Sequence, residues 1–457
     1  MKNSWLPFAA LLFSVQVSFW AATGLGFFEQ PLLIRSYGHA LADTALPPIL
    51  QNAAFAVRLS VALLSDLYSP CGLGHRLPYV FMGQLLTSLG FVAVGLVSPF
   101  PGPGWGLYLT AALLRSLAVI SATCAVDGLI VDAKLPENQG LVQQVRATGT
   151  LVGLLLTNLG GGALADAYGL PALAFFLAAT AAPLLTAPLI FSRAVVEERP
   201  AGAAGATKEP VDWAGALRAL RAPTTAAVMG LAVLTFGGQT IGNFALTQFL
   251  VDRKGLSLLE IGYLGTIFAV CAWPGSLLAG WALDRYDVRA TTAAAQAINA
   301  LLTGAVLWTP LVGAFAFNAG LNVVGGFATG YVASVTLGIA LRAAPSKLGA
   351  SFMAVIQGAM NAAGLLGNVA VGQIATLENK YLVAFVAGAA VLGAGALCVP
   401  FLGEAARPPH RVADAKGGGG QARAPANLIV VPLCWGLQAE IGDYCGVMHW
   451  ASAQTKV

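Results

Sequence analysis

The chain has 457 residues, 57% of them hydrophobic and 10% charged, with a formal charge of +4 and a mean hydropathy of +0.75. A soluble domain carries about 25% charged residues, so most of this surface is built to face hydrocarbon rather than water. The small, scattered positive charge excludes a nucleic-acid surface, and the six cysteines and four histidines show neither CxxC pairs nor a metal-ligand spacing. No metal and no cofactor are expected.

A membrane helix needs about 20 apolar residues. Twelve runs of that kind, bounded by charge, Pro or Gly clusters, are read along the chain. The first six lie near 5–27, 47–66, 78–98, 105–132, 142–166 and 171–193, and the second six near 223–250, 257–283, 289–310, 313–341, 349–375 and 381–402. The opening run exceeds the about 7 to 15 residues of a secretory signal core and is expected to stay as a first span. The expected fold is an all-α integral membrane protein with 12 transmembrane helices in two six-helix bundles. The expected domains are a first bundle at 1–193, a cytoplasmic linker at 194–222, a second bundle at 223–402 and a cytoplasmic tail at 403–457. The tail is basic and Gly-rich, and its apolar piece at 428–437, broken by Pro432, is too short to span.

Lys and Arg collect on the cytoplasmic side of membrane proteins. With the N-terminus inside, the inner loops and tail hold 17 of the 24 basic residues, the outer loops hold Arg35, Arg253, Lys254 and Lys380, and Arg58, Arg115 and Arg146 remain within spans. Both termini are therefore expected to be cytoplasmic. Plasma membrane and organelle are equally compatible with this pattern.

A charge at the bilayer centre costs about 2.5 to 3.5 kcal/mol on insertion scales, so each one inside a span is a candidate for function. Arg58 lies eight residues before Asp66, about 12 Å along a helix, and either pairs with a neighbouring carboxylate or contacts an anion. Asp127, more than a turn deeper than Asp132, is the candidate for proton coupling, with a static bridge to Arg58, Arg146 or Arg115 as the other reading. Arg115 and Arg146 join Arg58 as candidate substrate contacts. In the second half the polar groups are neutral: Gln239, Asn243, Gln248, Asn318, Asn322, Gln357 and Asn361. Gln239 and Asn243 share a helix face and follow Gly237 and Gly238, so they lead this set as substrate contacts, against the alternative of helix-to-helix bonding.

The halves echo each other. Span two ends Leu63-Leu64-Ser65-Asp66, followed by Gly74-His75-Arg76, and span eight ends Gly280-Trp281-Ala282-Leu283-Asp284-Arg285. An acidic residue followed by a basic one at the same place in each half suggests gate elements, Asp66 with Arg76 and Asp284 with Arg285, that latch one face in one state and part in the other. Six helices plus six with this charged loop resembles the major facilitator superfamily. The resemblance implies a secondary transporter that moves a small polar solute by alternating access.

Within that superfamily, Arg58 through Ser65-Asp66, then Gly74-His75-Arg76-Leu77-Pro78-Tyr79, is similar to the folate–biopterin transporter family. Ala125-Val126-Asp127-Gly128-Leu129-Ile130-Val131-Asp132 and Gln143 or Gln144 add to the match. Arg58 stands where that family has Lys, Leu59 where it has Pro, Ala62 where it has Gly and Leu77 where it has a second loop Arg. The resemblance covers roughly residues 50–165 and implies a folate or pterin as substrate. Span four also resembles carriers of muropeptides and acetyl-CoA. A non-transporting scaffold or assembly factor on the same fold is the rival class. No HExxH, GxSxG or GxxxxGK[ST] motif points to an enzyme or to direct ATP coupling.

Overall fold

The computed structural model describes residues 5–24, 37–39, 46–54, 58–68, 76–97, 99, 102–132, 139–157, 162–181, 213–256, 258–344, 349–374 and 377–407. The linker up to residue 212, His75 and the tail beyond 407 lie outside the described residues. All regular structure among the described residues is helical, as expected for a chain that must satisfy its backbone groups internally in lipid.

In the first half the helices are α1 (Trp5–Gly24), α2 (Leu46–Ala54), α3 (Arg58–Leu67), α4 (Leu77–Leu96), α5 (Pro103–Asp132), α6 (Gln139–Leu155) and α7 (Gly162–Ala181). A short helix α8 (Trp213–Arg221) follows. The second half holds α9 (Pro223–Lys254), α10 (Leu258–Arg285), α11 (Arg289–Ala305), α12 (Ala314–Ala343), α13 (Gly349–Ile374) and α14 (Lys380–Ala396).

Seven helices among the described residues are long and apolar enough to cross a membrane, namely α4, α5 and α9 to α13, and shorter apolar helices occur in α1, the later part of α7 and α14. The expected second and fifth spans fall on α2 with α3 and on α6, which spend part of their length on Arg58, Gln143, Gln144 and Arg146 instead of a full apolar run. Two local features were not foreseen. Helix α8 occupies the expected linker, with Arg218 and Arg221 in its last turn where the dipole favours cations. Helix α7 breaks at Gly169, whose φ of 78° is open to glycine at little cost, and Pro171 follows. That break separates the expected fifth and sixth spans.

Lipid supplies no hydrophobic drive between helices, so close packing has to hold them. The contact of α10 with α12 shows how. Gly326 and Gly330, four apart on one face of α12, meet the carbonyl oxygens of Phe268 and Ala272, and Gly275 meets that of Phe327, so closely that a Cβ on any of the three would overlap the facing backbone. Ser276 Oγ adds a hydrogen bond to the Gly330 carbonyl at 3.0 Å.

The buried core is asymmetric along the bundle. At the end where α3 stops and α13 begins, one apolar cluster takes Leu11 and Leu12 from α1, Val126 and Ile130 from α5, Leu283 from α10, Val335 and Ile339 from α12, and Met353 and Ile356 from α13. Both halves share it. Toward the other end the core divides into a first-half cluster around Phe91, Tyr108 and Leu173 and a separate second-half cluster around Phe249, Leu264 and Phe385. Pairings between halves are those of α2, α3 and α5 with α13 and of α6 with α10 and α12, with a small cluster of Ala54, Ala62, Ile120, Cys124 and Ala354 between them.

The glycine contact is directly testable. Gly330→Leu should force α10 from α12 and lower stability by about 1–3 kcal/mol or more, as overpacking does. A thermal-unfolding shift of the purified protein reads it, and an unchanged midpoint would contradict the close approach.

Candidate functional site

Asp127 lies on α5, five residues from its end, with 1% of its side chain exposed. Arg58, the first residue of α3, donates from Nη2 to Asp127 Oδ2 at 2.8 Å, and its side chain is 2% exposed. Gln357 of α13 donates from Nε2 to the same oxygen at 2.7 Å. Arg146 of α6 approaches the other oxygen, Nη1 to Oδ1, at 2.9 Å. That last contact is an ion pair without the direction of a hydrogen bond, and it leaves Oδ1 the less well satisfied oxygen. Four helices from both halves thus converge on one carboxylate. Charge assistance makes such bonds about twice as strong as neutral ones.

Two of the residues expected as substrate contacts, Arg58 and Arg146, are therefore in direct contact with the residue expected to couple protons. Arg115 is not. It sits twelve residues earlier on α5, about 18 Å along the helix, inside the first-half core, with its guanidinium carbon 5.1 Å from the centre of the Phe91 ring. Gln357 was legible only as one amide among several, because nothing in its local sequence marks it as the partner of a charge on another helix.

A second polar layer lies closer to the end of the bundle. Asp66, near the end of α3, pairs with Arg76 and accepts from both the backbone N–H, at 3.0 Å, and the hydroxyl of Ser351. Ser351 is the third residue of α13, so the carboxylate sits at a helix N-terminus, where unpaired N–H groups and the dipole favour negative charge. Arg76 also donates to Ser65 Oγ at 3.1 Å and lies over Gly128 of α5, where a Cβ would collide with the guanidinium. Asp66 and Arg76 form an ion pair, and Ser351 extends it across the halves.

The second-half counterpart differs from expectation. Asp284 pairs with Arg342 of α12 at 3.3 Å, not with Arg285, and Arg342 also donates to the Leu283 carbonyl at 2.9 Å. Arg285 instead lies over the Trp281 ring at 5.3 Å. The cause is helical geometry: adjacent residues point about 100° apart on a helix, so Asp284 and Arg285 face different neighbours. The Asp284 bridge stays within the second half.

Two further bonds join α6 to α10: Gln144 Nε2 to the Leu277 carbonyl at 3.3 Å, and Trp273 Nε1 to Thr148 Oγ1 at 3.0 Å. Farther toward the opposite end, within the second half, lies a cavity of about 60 Å³ lined by Gln239 and Asn243 of α9, Asn299 of α11, and Asn318 and Thr329 of α12, among others. Gln239 donates to Thr329 Oγ1 at 3.2 Å, and Thr329 Oγ1 lies 3.2 Å from Asn299 Oδ1. Gln239 and Asn243 thus share one cavity, away from Asp127. Among the described residues no group of three or more His, Cys, Asp or Glu is placed to hold a metal ion.

Removing the carboxylate would take from two buried guanidiniums the anion they share, a change that costs about 3–5 kcal/mol when one partner of a buried pair is lost. Asp127→Asn should therefore lower the unfolding midpoint, and Asp127→Asn with Arg146→Gln should recover part of the loss. Equal stability of the two variants, read by thermal unfolding, would contradict the pairing.

Known proteins place this architecture. The sequence model described as Major Facilitator Superfamily matches residues 228–441, the half in which the sequence showed only the general superfamily pattern. No curated protein matches the chain. A bacterial homologue of the iron transporter ferroportin, in its outward-facing state, superposes with a TM-score of 0.66 at 14% identity, over 86% of this chain and 98% of that one. The same homologue soaked with iron gives 0.65 at 14% identity, with the same shares covered. The human organic anion transporter MFSD10 gives 0.63 at 13% identity over 87% of this chain and 99% of that one. At these identities the likeness is one of fold: the chain is an all-α membrane protein with the major facilitator fold.

Proposed function

We propose that the protein is a secondary transporter that moves a small organic anion by alternating access, its two bundles at 1–193 and 223–402 rocking about a site between them. The observation that carries this reading is the asymmetry of the interior. The halves are latched through Asp127, Gln357, Asp66 and Ser351 at one end, and the core divides in two toward the other. A carrier held shut on one side has this form. With the basic loops inside, the latched end is cytoplasmic and the described state is outward-facing, the state reported for the ferroportin homologue.

Arg146 supports an anion as cargo. It meets Asp127 by charge rather than by a directed bond and keeps 11% of its side chain exposed, so an incoming carboxylate or phosphate can compete for it. A proton arriving at Oδ1 of Asp127 discharges the same contact. Solute and proton would thus act on one carboxylate, the same one that Gln357 of the second half holds, which is the requirement for coupling. Asp66 and Arg76 serve as the cytoplasmic gate with Ser351, while Asp284, held by Arg342, and Arg285 line the same face. The resemblance over residues 50–165 favours a folate or a pterin as the solute.

The test is uptake of labelled folate and of a simple pterin, across a pH gradient, by cells that carry the protein at the membrane, against vector-only cells. Saturable, gradient-driven uptake is expected. Arg146→Ala should reduce it about 10- to 100-fold, as loss of a charged hydrogen bond of about 1.5–3 kcal/mol implies, and Asp127→Asn should abolish its pH dependence. PH-dependent uptake unchanged in Asp127→Asn would contradict the coupling role. No uptake of either compound would remove folate and pterin and leave muropeptide and acetyl-CoA type anions to be tried.

A further inference from the structure

Helix α8, in the stretch between the two halves, is packed on one side and open on the other. Ala219 and Leu220 join the apolar cluster that both halves share. The Ala219 carbonyl accepts from the Ala222 N–H at 3.3 Å and from Thr225 Oγ1 at 2.6 Å, which closes the turn into α9. Leu217 is left 50% exposed. Arg218 and Arg221 are exposed as well. Arg218 donates to the Ala214 carbonyl of its own helix at 3.3 Å, and neither arginine meets a carboxylate among the described residues.

The chain itself fixes the level at which this helix lies. Arg221 is two residues before Pro223, where the apolar span of α9 begins, so α8 is held where that span leaves the hydrocarbon. Helix α10 ends at the same level, because its Ala282 and Leu283 share the apolar cluster with Ala227 and Val228 of α9. Trp281 and Tyr286, at that end of α10, have ring centres 5.1 Å apart, with Arg285 over the Trp281 ring. Aromatic side chains of this kind gather at the membrane–water interface. In the sequence of α8, Trp213, Leu217 and Leu220 recur at spacings of four and three, one stripe of a helix, and Arg218 and Arg221 fall to one side of it. An apolar stripe beside basic residues is the pattern of a helix that lies in the interface plane.

We propose that α8 is an interfacial helix whose partner is the anionic lipid of the leaflet at the latched end. Leu217 enters the boundary between headgroups and acyl chains, and Arg218 and Arg221 lie at the level of the phosphates, where an anionic surface attracts each basic residue. Two observations favour lipid over a protein partner: the cations are unmatched within the chain, and the turn into α9 already holds the helix at the bilayer edge. Because Ala219 and Leu220 rest on the shared cluster, the lipid contact bears on the same end of the bundle as Asp127 and Asp66. The inference needs the membrane fold alone and stands apart from the transport reading.

The experiment places a nitroxide at Leu217→Cys, and separately at Ala214→Cys on the arginine side, in the full chain with its other cysteines replaced. The protein is held in nanodiscs of phosphatidylcholine mixed with phosphatidylglycerol, and collision of the label with molecular oxygen is compared with collision with a water-soluble nickel chelate. At Leu217→Cys oxygen should dominate, and at Ala214→Cys the chelate. Replacing the mixture by phosphatidylcholine alone, which needs no further substitution, should raise chelate access at Leu217→Cys. Arg218→Gln with Arg221→Gln in the mixed lipid should do the same, lowering the ratio of docked to undocked label about fivefold for each arginine. Chelate access at Leu217→Cys that is high in both lipids overturns the proposal. So does oxygen access indifferent to the phosphatidylglycerol and to the arginines, or low access to both reagents, which would put protein over the helix in place of lipid.

Discussion

A carboxylate in a dry interior has to be compensated in full, and Asp127 obtains its compensation from three helices besides its own. Arg58 and Arg146 arrive from α3 and α6 of the same half and supply the charge, and Gln357 arrives from α13, so the carboxylate is fully satisfied only while α13 of the second half is packed against it. A buried pair contributes little net stability when complete but is costly when one partner leaves. That asymmetry makes the complete cluster far less costly than a partly opened one. Asp66 repeats the logic nearer the surface, with the N-terminus of α13 supplying the positive end.

The rest of the packing follows from where the latch lies. Beneath it the halves share one apolar cluster, and beyond it the core separates into one cluster per half. Glycine contacts bring the backbones of α10 and α12 together without room for a Cβ between them, a density of packing that resists independent movement of the two helices. The amide-lined cavity lies on the divided side, within the second half.

Much of this was written in the hydropathy of the chain. The bilayer demands about 20 apolar residues per crossing, so the runs behind α4, α5 and α9 to α13 stand out at a glance. The same rule singles out Arg58, Asp127 and Arg146 as charges with no business in lipid unless they meet. What spacing does not encode is which helix packs on which. Gln357 and Ser351, both on α13, contact residues more than 200 positions away, and neither differs locally from an ordinary helix amide or hydroxyl. Asp284 was matched with its sequence neighbour Arg285 because the first-half motif suggested it, whereas the fold gives it Arg342, one helix over. Helix α8 was hidden in the linker because its amphipathic turn pattern is short and flanked by polar residues. Arg115 shows the limit from the other side: a buried charge in a span marks a candidate, yet this one stacks on Phe91 and stays apart from the cluster.

The most direct test of the latch is the distance between the halves at the end where it lies. Spin labels at Tyr68 and Tyr286, both exposed at that face and one in each half, would report it by pulsed electron resonance in a variant with its other cysteines replaced. The account predicts a single short distance distribution in the protein with Asp127 intact, and a second, longer population when Asp127→Asn or Gln357→Leu releases the latch. An unchanged distribution in both variants would contradict it.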